Sequence, residues 1–249
     1  MGIVTISRGS CRRASEIAEK LAKKLGYECV AREILLKASK EFDLPEVKLV
    51  HAIQDAPSVF DHLKDGKRKY TAFIREAFLE YIQKDNVVYH GFAGHFFTRE
   101  IPNILKVRII ANIDYRIKVV MERENISEEK ARKFIYNLDV ERRKWSMYLY
   151  GIDTNATELY DLVLQIDNLG VDDAIDFIYD VAKRPCFQTT PEAQEKLKEM
   201  LASARAYSSN SAQTEWVLLE LLIFDFSFSA LVECSMDLVI INSISVLQF

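Results

Sequence analysis

The sequence has few of the residues that build disulfide frameworks, zinc sites or membrane spans. Its four cysteines stand far apart and form no C-x-x-C pair, so neither a disulfide scaffold nor a zinc site is predicted. The apolar run Trp216–Phe224 is interrupted by Glu220 and is far shorter than the roughly 20 residues that cross a bilayer. Met1 leads directly into an apolar run, without a basic start or a small-residue cleavage site. We therefore expect no signal peptide, no membrane span and a reducing cytoplasm.

The sequence also lacks an excess of positive charge. Its formal net charge is −4, which gives no argument for binding nucleic acid or an anionic membrane. The stretch 207–249 contains no Lys, Arg or His but five acids, so the negative excess lies at the C-terminal end of the chain. With 49% hydrophobic and 28% charged residues, the whole chain has the composition of an ordinary globular protein.

Short apolar runs alternate with helical patterns over residues 1–183. This alternation predicts an α/β protein whose parallel sheet is covered by helices on both faces. Four runs are predicted strands, namely Gly2–Ser7, Val87–Tyr89, Ile104–Ile110 and Tyr160–Ile166, and Tyr27–Ala31 is a short apolar piece between helices. The predicted helices are Glu16–Leu25, Arg32–Phe42, Leu44–Val59, Tyr70–Lys84, Asn112–Asn125, Ser127–Leu138, Val171–Ala182 and Pro191–Ala206.

Three segments are predicted to lie outside this pattern. Asp61–Lys69 is charged and is predicted to be an exposed connection. The polar run Tyr207–Gln213 is linker-like, and Val239–Phe249 mixes apolar residues with Ser and Asn as a strand does. The region beyond residue 184 is therefore predicted to be a small appended module or a poorly ordered tail.

The turn between the first strand and the first helix is the strongest candidate for a phosphate-binding site. A helix start behind a buried strand presents backbone N–H groups to an anion. The pattern G-x-x-x-x-G-K-[ST] would place a second glycine at 14, a lysine at 15 and a hydroxyl at 16, where this chain has Ala14, Ser15 and Glu16. Arg12 and Arg13 supply positive charge in the same turn. An ordinary strand and helix joined by a solvated basic turn fits these residues equally well.

A second basic cluster lies around residues 132–144. It contains four cations, Arg132, Arg142, Arg143 and Lys144. The preceding predicted helix adds Arg116 and Arg123. In phosphoryl transfer, arginines on a mobile segment neutralise charge on the transferred group. The alternative is a solvated helix with surface ion pairs, each contributing about 0.3–0.5 kcal/mol.

Two histidines, His90 and His95, flank a glycine-bearing turn after the second predicted strand. Their neighbourhood supplies no third and fourth metal ligand, so a structural turn is predicted, with stacking on Phe92 or a phosphate contact as alternatives. Since the turns at 8–15 and 90–95 both follow strands of a parallel sheet, we expect them to share one crevice.

The order of these motifs resembles that of the cytidylate kinase-like family, relatives of the P-loop nucleoside monophosphate kinases. The matching residues over 1–183 are Ile6-Ser7-Arg8, Glu16-Ile17-Ala18, Gly91, Arg116 and Arg123, Asp139-x-x-Arg142-Arg143, and Tyr160-Asp161-Leu162. The resemblance implies a P-loop domain over 1–184 with a three-layer α/β/α core, followed by an extension over 185–249. It also implies a helical acceptor-binding insert over 38–84 and an arginine lid over 132–150.

The resemblance implies which residues form the site. ATP phosphates would sit on the turn and its flanks, formed by Gly9, Ser10, Cys11, Arg12, Arg13, Ala14, Ser15 and Glu16. Arg12, Arg13, Arg142 and Arg143 are the candidate catalytic residues, and Arg32, Gly91, Phe92 and Asp139 the candidate substrate-binding residues. ATP and Mg²⁺ are the expected cofactors, and no metal ligand is assigned to the protein.

Two departures from the family pattern leave two functions open. Ala14 and Ser15 replace a glycine and a cation, and Phe92 stands where many members carry arginine. The first function is an ATP-dependent phosphotransferase acting on a pyrimidine nucleoside monophosphate or a similar small acceptor. The second is a pseudo-kinase that senses nucleotides or binds a partner. The expected partners are nucleotides, not nucleic acid or membrane, and a homo-oligomer stays open.

Overall fold

A single parallel sheet forms the centre of the molecule. A computed structural model describes residues 1–8, 13–31, 33–43, 64–91 and 94–223. In these residues the strands are β1 (Ile3–Arg8), β2 (Glu28–Val30), β3 (Val87–His90), β4 (Leu105–Ile110) and β5 (Leu162–Gln165). They are arranged in the order β2-β3-β1-β4-β5, and every neighbouring pair is parallel. The four predicted strands are confirmed, and the short piece Tyr27–Ala31 contains the additional strand β2.

Helices connect the strands and continue beyond the last one. In the described part of the chain they are α1 (Arg13–Leu25), α2 (Glu33–Glu41), α3 (Lys64–Ile82), α4 (Gly94–Phe97), α5 (Ile113–Glu124), α6 (Glu128–Tyr150), α7 (Val171–Ala182) and α8 (Pro191–Ile223). Short 3₁₀ turns at Thr157–Leu159 and Pro185–Phe187 complete the connections. None of these described helices has the length and apolar content needed to cross a membrane.

The helices cover both faces of the sheet, as predicted. On one face, α1 and α7 pack against the alternate side chains Val4 and Ile6 of β1 and against Val107 of β4. Salt bridges from Lys20 to Asp172 (3.4 Å) and from Lys24 to Asp176 (2.5 Å) connect the exposed sides of the two helices. On the other face, α2, α3, α4 and α8 form a second apolar cluster with Ile3, Val87 and Tyr89 of the strands. The three-layer α/β/α core is therefore confirmed.

Three local predictions are wrong. The predicted exposed connection Asp61–Lys69 is helical from Lys64 onward, as the first part of α3. The basic segment after Leu138 continues the preceding helix without a break, because no glycine or proline interrupts α6 before its left-handed C-cap Gly151 (φ 65°). The predicted linker Tyr207–Gln213 is part of the continuous helix α8.

Helix α8 continues through its polar run because one side of it is buried. Leu197 and Leu201 lie in the cluster that also contains Phe73 and Phe78 of α3. Ser208, inside the predicted linker, is also buried. Contacts with a neighbouring helix outweigh the weak helical preference of serine and asparagine. The predicted helix Leu44–Val59 and the predicted strand Val239–Phe249 lie outside the described residues.

Candidate functional site

The carboxyl ends of the central strands define the candidate site. β1 is flanked by β3 on one side and β4 on the other. The connection that leaves β1 leads to β2 at one edge of the sheet, whereas the connection that leaves β3 leads past β1 to β4 on the other side. In open parallel sheets a ligand crevice forms at such a reversal. β1 ends at Arg8 and α1 begins at Arg13, so the residues between them are the candidates for this crevice. Its central candidates, Gly9, Ser10, Cys11 and Arg12, lie outside the described residues.

The described flank of this turn differs from the expected pattern. Arg13 is exposed, and its guanidinium carbon lies 6.0 Å from the ring centre of Tyr115 on α5. Ala14 is fully buried in the core cluster of α1 and α7, and Ser15 is only 7% exposed. Glu16 pairs with Lys20 one turn later at 3.0 Å. The first turn of α1 therefore offers its N–H groups and one exposed cation, while the methyl group of Ala14 belongs to the core.

The predicted lid residues lie on α6, which forms a hairpin with α5. The hairpin has a small apolar cluster of its own, built from Ile117, Val120, Ala131 and Ile135. Asn112 and Ser127 cap the two helices, because their side chains accept hydrogen bonds from the N–H groups of Tyr115 and Lys130. The hairpin thus has local reasons to form and depends little on the sheet.

Within this hairpin the structure separates the candidate residues. Asp139 accepts a hydrogen bond from Arg116 of α5, with 2.8 Å between Oδ1 and Nη2. Arg143 reaches past the end of the helix and pairs with Asp153, with 2.8 Å between Nε and Oδ2. Arg142 lies between Asp139 and Arg143 in the sequence, and its side chain is half-buried. Both predicted lid arginines therefore lie on one continuous helix, not on a separate segment between two helices.

Gly91 has a packing role that explains why it is glycine. It follows β3, and its N–H donates to the carbonyl of Ile6 at 3.3 Å. A Cβ at this position would lie 2.6 Å from the hydroxyl oxygen of Tyr89, which is too close for any side chain. Gly94 is equally close to the ring of Tyr89. The other acceptor candidates, Arg32 and Phe92, lie outside the described residues.

A polar network that the sequence analysis did not assign lies at the same edge of the sheet. Ser7 of β1 and Arg108 of β4 are directly opposite each other in the strand register. The Tyr160 hydroxyl lies 3.4 Å from Ser7 Oγ and 3.3 Å from His95 Nε2. It donates to the carbonyl of Thr154 at 2.9 Å.

Arg108 binds the same segment of the chain. Its Nη1 donates to the Thr154 carbonyl at 2.8 Å and its Nη2 to Asn155 Oδ1 at 2.5 Å. Its guanidinium carbon also lies 5.4 Å from the ring centre of Tyr160. Thr154 also donates its N–H to Ser146 of α6, and it therefore connects β4, Tyr160 and the end of α6.

Charge and burial determine the protonation of this network. His95 is 5% exposed, and burial, with the positive charges of Arg108 and Lys106, lowers its pKa to about 3. Its imidazole is therefore neutral at physiological pH. Lys106 is also buried, which lowers its pKa, and its ammonium is held by Asp161 at 3.7 Å and by the Ile104 carbonyl at 3.1 Å.

One sequence signal could have indicated this network. Lys106 and Arg108 occupy alternate positions in an otherwise apolar strand, which places both side chains on one face of the sheet. No local pattern brings Ser7, His95 and Tyr160 to the same place, because these residues belong to three separate elements.

The described residues offer no protein site for a metal ion. They contain no group of three His, Cys, Asp or Glu side chains placed to hold one. Asp167, near the end of β5, accepts from the Asn112 N–H at 2.8 Å and from the side chain of Gln165. Nucleotide-bound Mg²⁺ keeps several waters and needs few protein ligands, so the expected ion would be carried by phosphates.

This chain is similar to known proteins both in sequence and in fold. A model of the cytidylate kinase-like family matches residues 3–168. Cytidylate kinase from Staphylothermus marinus is 28% identical over 171 residues, covering 68% of this chain and 88% of that protein. Cytidylate kinase from Thermococcus sibiricus is 35% identical over 108 residues, but this alignment covers 41% of this chain and 55% of that protein. A solved structure of an uncharacterized protein from Eubacterium ventriosum aligns with a TM-score of 0.56 at 20% identity, covering 72% of this chain and 96% of the other.

These findings define the class of the protein. The parallel sheet and the helices on both of its faces are those of a three-layer P-loop kinase fold. Because the family match spans most of the chain, the chain belongs to the cytidylate kinase-like family, and its class is that of the nucleotide kinase-like phosphotransferases.

Proposed function

We propose that this chain is an ATP-dependent phosphotransferase whose acceptor is a pyrimidine nucleoside monophosphate or a similar small acceptor. The observation that carries the proposal is the start of α1 directly beyond the carboxyl end of β1, the central strand. The N–H groups of that first turn and the helix dipole favour an anion. Arg13 adds an exposed positive charge at the same point.

In this reaction the bond between the terminal phosphorus of ATP and the bridging oxygen breaks, and a new bond forms to an oxygen of the acceptor. Catalysis then depends on position and charge more than on covalent chemistry. We assign charge neutralisation to Arg12, Arg13, Arg142 and Arg143, and acceptor contacts to Arg32, Gly91, Phe92 and Asp139. Mg²⁺ bound to the phosphates would neutralise further charge, and we assign it no protein ligand.

A specific observation favours the alternative, a pseudo-kinase that binds nucleotides without turnover. Position 15, where the P-loop pattern has lysine, is a buried serine, and Ala14 before it is fully buried. Losing one preorganised charge of this kind typically raises a barrier by about 2.7–4 kcal/mol. Binding, which uses the N–H groups as well, would be affected less.

Calorimetry of ATP binding tests the site. Replacing Arg12 and Arg13 together by alanine should weaken ATP binding at least tenfold, or about 1.4 kcal/mol. A matched control replaces Lys23 and Arg184, two exposed cations at the opposite edge of the sheet, and should leave the affinity unchanged. Equal affinities for both double variants would place the nucleotide elsewhere.

A turnover panel separates the two functions. The protein is incubated with ATP, Mg²⁺ and each common nucleoside monophosphate, and formation of ADP and diphosphates is followed by chromatography. Phosphorylation of CMP or UMP ahead of AMP and GMP supports the phosphotransferase. ATP binding without turnover of any acceptor supports the pseudo-kinase.

A further inference from the structure

The Tyr160 hydroxyl is the shared neighbour of four polar atoms. Thr154 O lies at 2.9 Å, His95 Nε2 and Thr154 Oγ1 at 3.3 Å, and Ser7 Oγ at 3.4 Å. Tyr160 itself is buried at the start of the connection into β5. A phenol has one proton to donate, so these contacts cannot all be of one kind.

The direction of each hydrogen bond follows from the partners. A carbonyl oxygen only accepts, and Thr154 O is the nearest of the four atoms, so the phenol proton lies toward it. The tyrosine oxygen then accepts from His95, whose neutral ring must carry its proton on Nε2. That tautomer leaves Nδ1 as a buried acceptor without a hydrogen-bond partner among the described residues.

The partners of Tyr160 belong to two separate parts of the molecule, the carboxyl end of β1 and the segment that follows α6. Ser7 lies in β1, two residues before the phosphate-binding turn begins at Gly9. On the other side, the Thr154 N–H donates to Ser146 Oγ at 3.1 Å, and Ser146 is fully buried near the end of the lid helix α6. Arg143 of the same helix pairs with Asp153, beside Thr154. One hydroxyl therefore lies between the carboxyl end of β1 and the end of α6.

We propose that Tyr160 is a positioning residue, whose hydroxyl couples the end of the lid helix to the phosphate-binding turn. Through Ser7, it senses the position of β1 where the turn begins, and through Thr154 it holds the segment that ends α6. A nucleotide bound beyond the carboxyl end of β1 then favours one placement of the end of α6, so ATP binding protects this segment. This role rests on the proposed function, because it needs a nucleotide on the turn.

The test compares the full chain with its Tyr160→Phe variant, which loses the hydroxyl and keeps the ring. Calorimetry measures ATP affinity, and hydrogen exchange measures protection of residues 143–155 with and without ATP and Mg²⁺. We expect ATP affinity within threefold of the parent, while the protection that ATP confers on 143–155 is lost. With an acceptor that the parent phosphorylates, kcat should fall about tenfold and KM for ATP should change less than threefold.

Two sets of variants separate coupling from general destabilisation. Tyr27→Phe removes a half-buried phenol hydroxyl at the opposite edge of the sheet, near Gly2, and should retain the protection. His95→Gln keeps a donor for the tyrosine oxygen and should behave like the parent, whereas His95→Leu should behave like Tyr160→Phe. If Tyr160→Phe does not fold, Ser7→Ala removes the turn-side contact alone and must abolish the same protection.

Each outcome decides one claim. If the parent binds ATP but 143–155 gains no protection, or if Tyr160→Phe retains it, the coupling role is wrong while the proposed function stands. Equal effects of His95→Gln and His95→Leu would also overturn it. If the parent does not bind ATP, the proposed function fails, and this role fails with it. Protection without turnover supports the coupling and leaves the pseudo-kinase as the function.

Discussion

The two faces of the central strands β1 and β4 differ in chemistry although both are formed by alternate residues of the same two strands. Toward α1 and α7, β1 and β4 present Val4, Ile6, Leu105, Val107 and Ile109, all of them buried. Toward α3 and α4, the alternate positions are Thr5 and Ser7 on β1 and Lys106 and Arg108 on β4. Thr5 is opposite Lys106, and Ser7 is opposite Arg108.

Both faces of the sheet pack against apolar clusters, but only the face toward α3 and α4 has a row of polar side chains on β1 and β4. Apolar side chains need no particular partner, and their burial contributes about 25 cal/mol per Å². A buried polar group costs free energy unless a partner satisfies it, so each polar residue must be placed by others. Lys106 is held by Asp161 and by backbone carbonyls, and Arg108 by Thr154 and Asn155. The polar row leads to the carboxyl edge of the sheet, where the phosphate site is proposed.

Acid should lower the free energy of unfolding more than the truncations below, because it acts on His95 of the polar network. The pKa of His95 is about 3 in the folded protein, against about 6.5 in an unfolded chain. Between these values the unfolded chain binds a proton that the folded protein does not. The free energy of unfolding should therefore fall as the pH drops from 6.5 toward 3, by about 1.4 kcal/mol per pH unit and about 5 kcal/mol in total.

Urea unfolding at a series of pH values from neutral to about pH 4 measures this slope. Carboxylates contribute to acid sensitivity in every variant, so the informative quantity is the difference between the parent and His95→Gln, which cannot titrate. The parent should lose more stability at each step. Parallel curves for the two proteins would show that His95 does not control the acid response.

Truncation on the apolar face should have the next largest effect. Leu21 of α1 is fully buried in the cluster with α7, so Leu21→Ala should lower the free energy of unfolding by about 3 kcal/mol. This loss should not depend on pH, in contrast to that of the polar face. Leu36→Ala, at a side chain 40% exposed on α2, is the control and should cost less than about 0.5 kcal/mol. A pH-dependent loss for Leu21→Ala would remove the distinction between the faces.

The smallest effect concerns the ion pairs that accompany α8. Arg205 pairs with Glu76 at 3.7 Å and with Glu80, but its side chain is half exposed, so water screens both contacts. Arg205→Ala should cost about 0.5 kcal/mol, and high salt should remove the difference from the parent. Leu201→Ala, one turn earlier in the buried cluster, should cost several times more. The opposite ranking would mean that charges, not apolar contacts, hold α8 on α3.

The elements that the sequence predicted well are those with a strong local pattern. The apolar stripe of α7 predicted its bounds, Val171–Ala182, as the structure has them. The three residues of β2 are too few to show a period, and their pairing with β3 makes them a strand. In α6 and α8 the predicted helices end too early, because a polar or basic composition was taken as a boundary where no helix-breaking residue stands.

The candidate site divides in the same way. Arg13 and the helix start behind β1 could be predicted, since they are neighbours in the sequence. Which acid pairs with which arginine could not be predicted: Asp139 pairs with Arg116, and Arg143 with Asp153. The placement of Arg12, Arg32 and Phe92 stays a prediction.

The sequence by itself determined which segments could be helix or strand and which of their faces would be apolar, because those properties depend on residues a few positions apart. Only the tertiary structure decided which polar residues meet. Ser7 faces Arg108 because the chain places β4 beside β1 in one register, and Tyr160 reaches both because β5 follows at the next position of the sheet. Register between parallel strands depends on long crossover connections and on packing against both faces, and no local pattern records it.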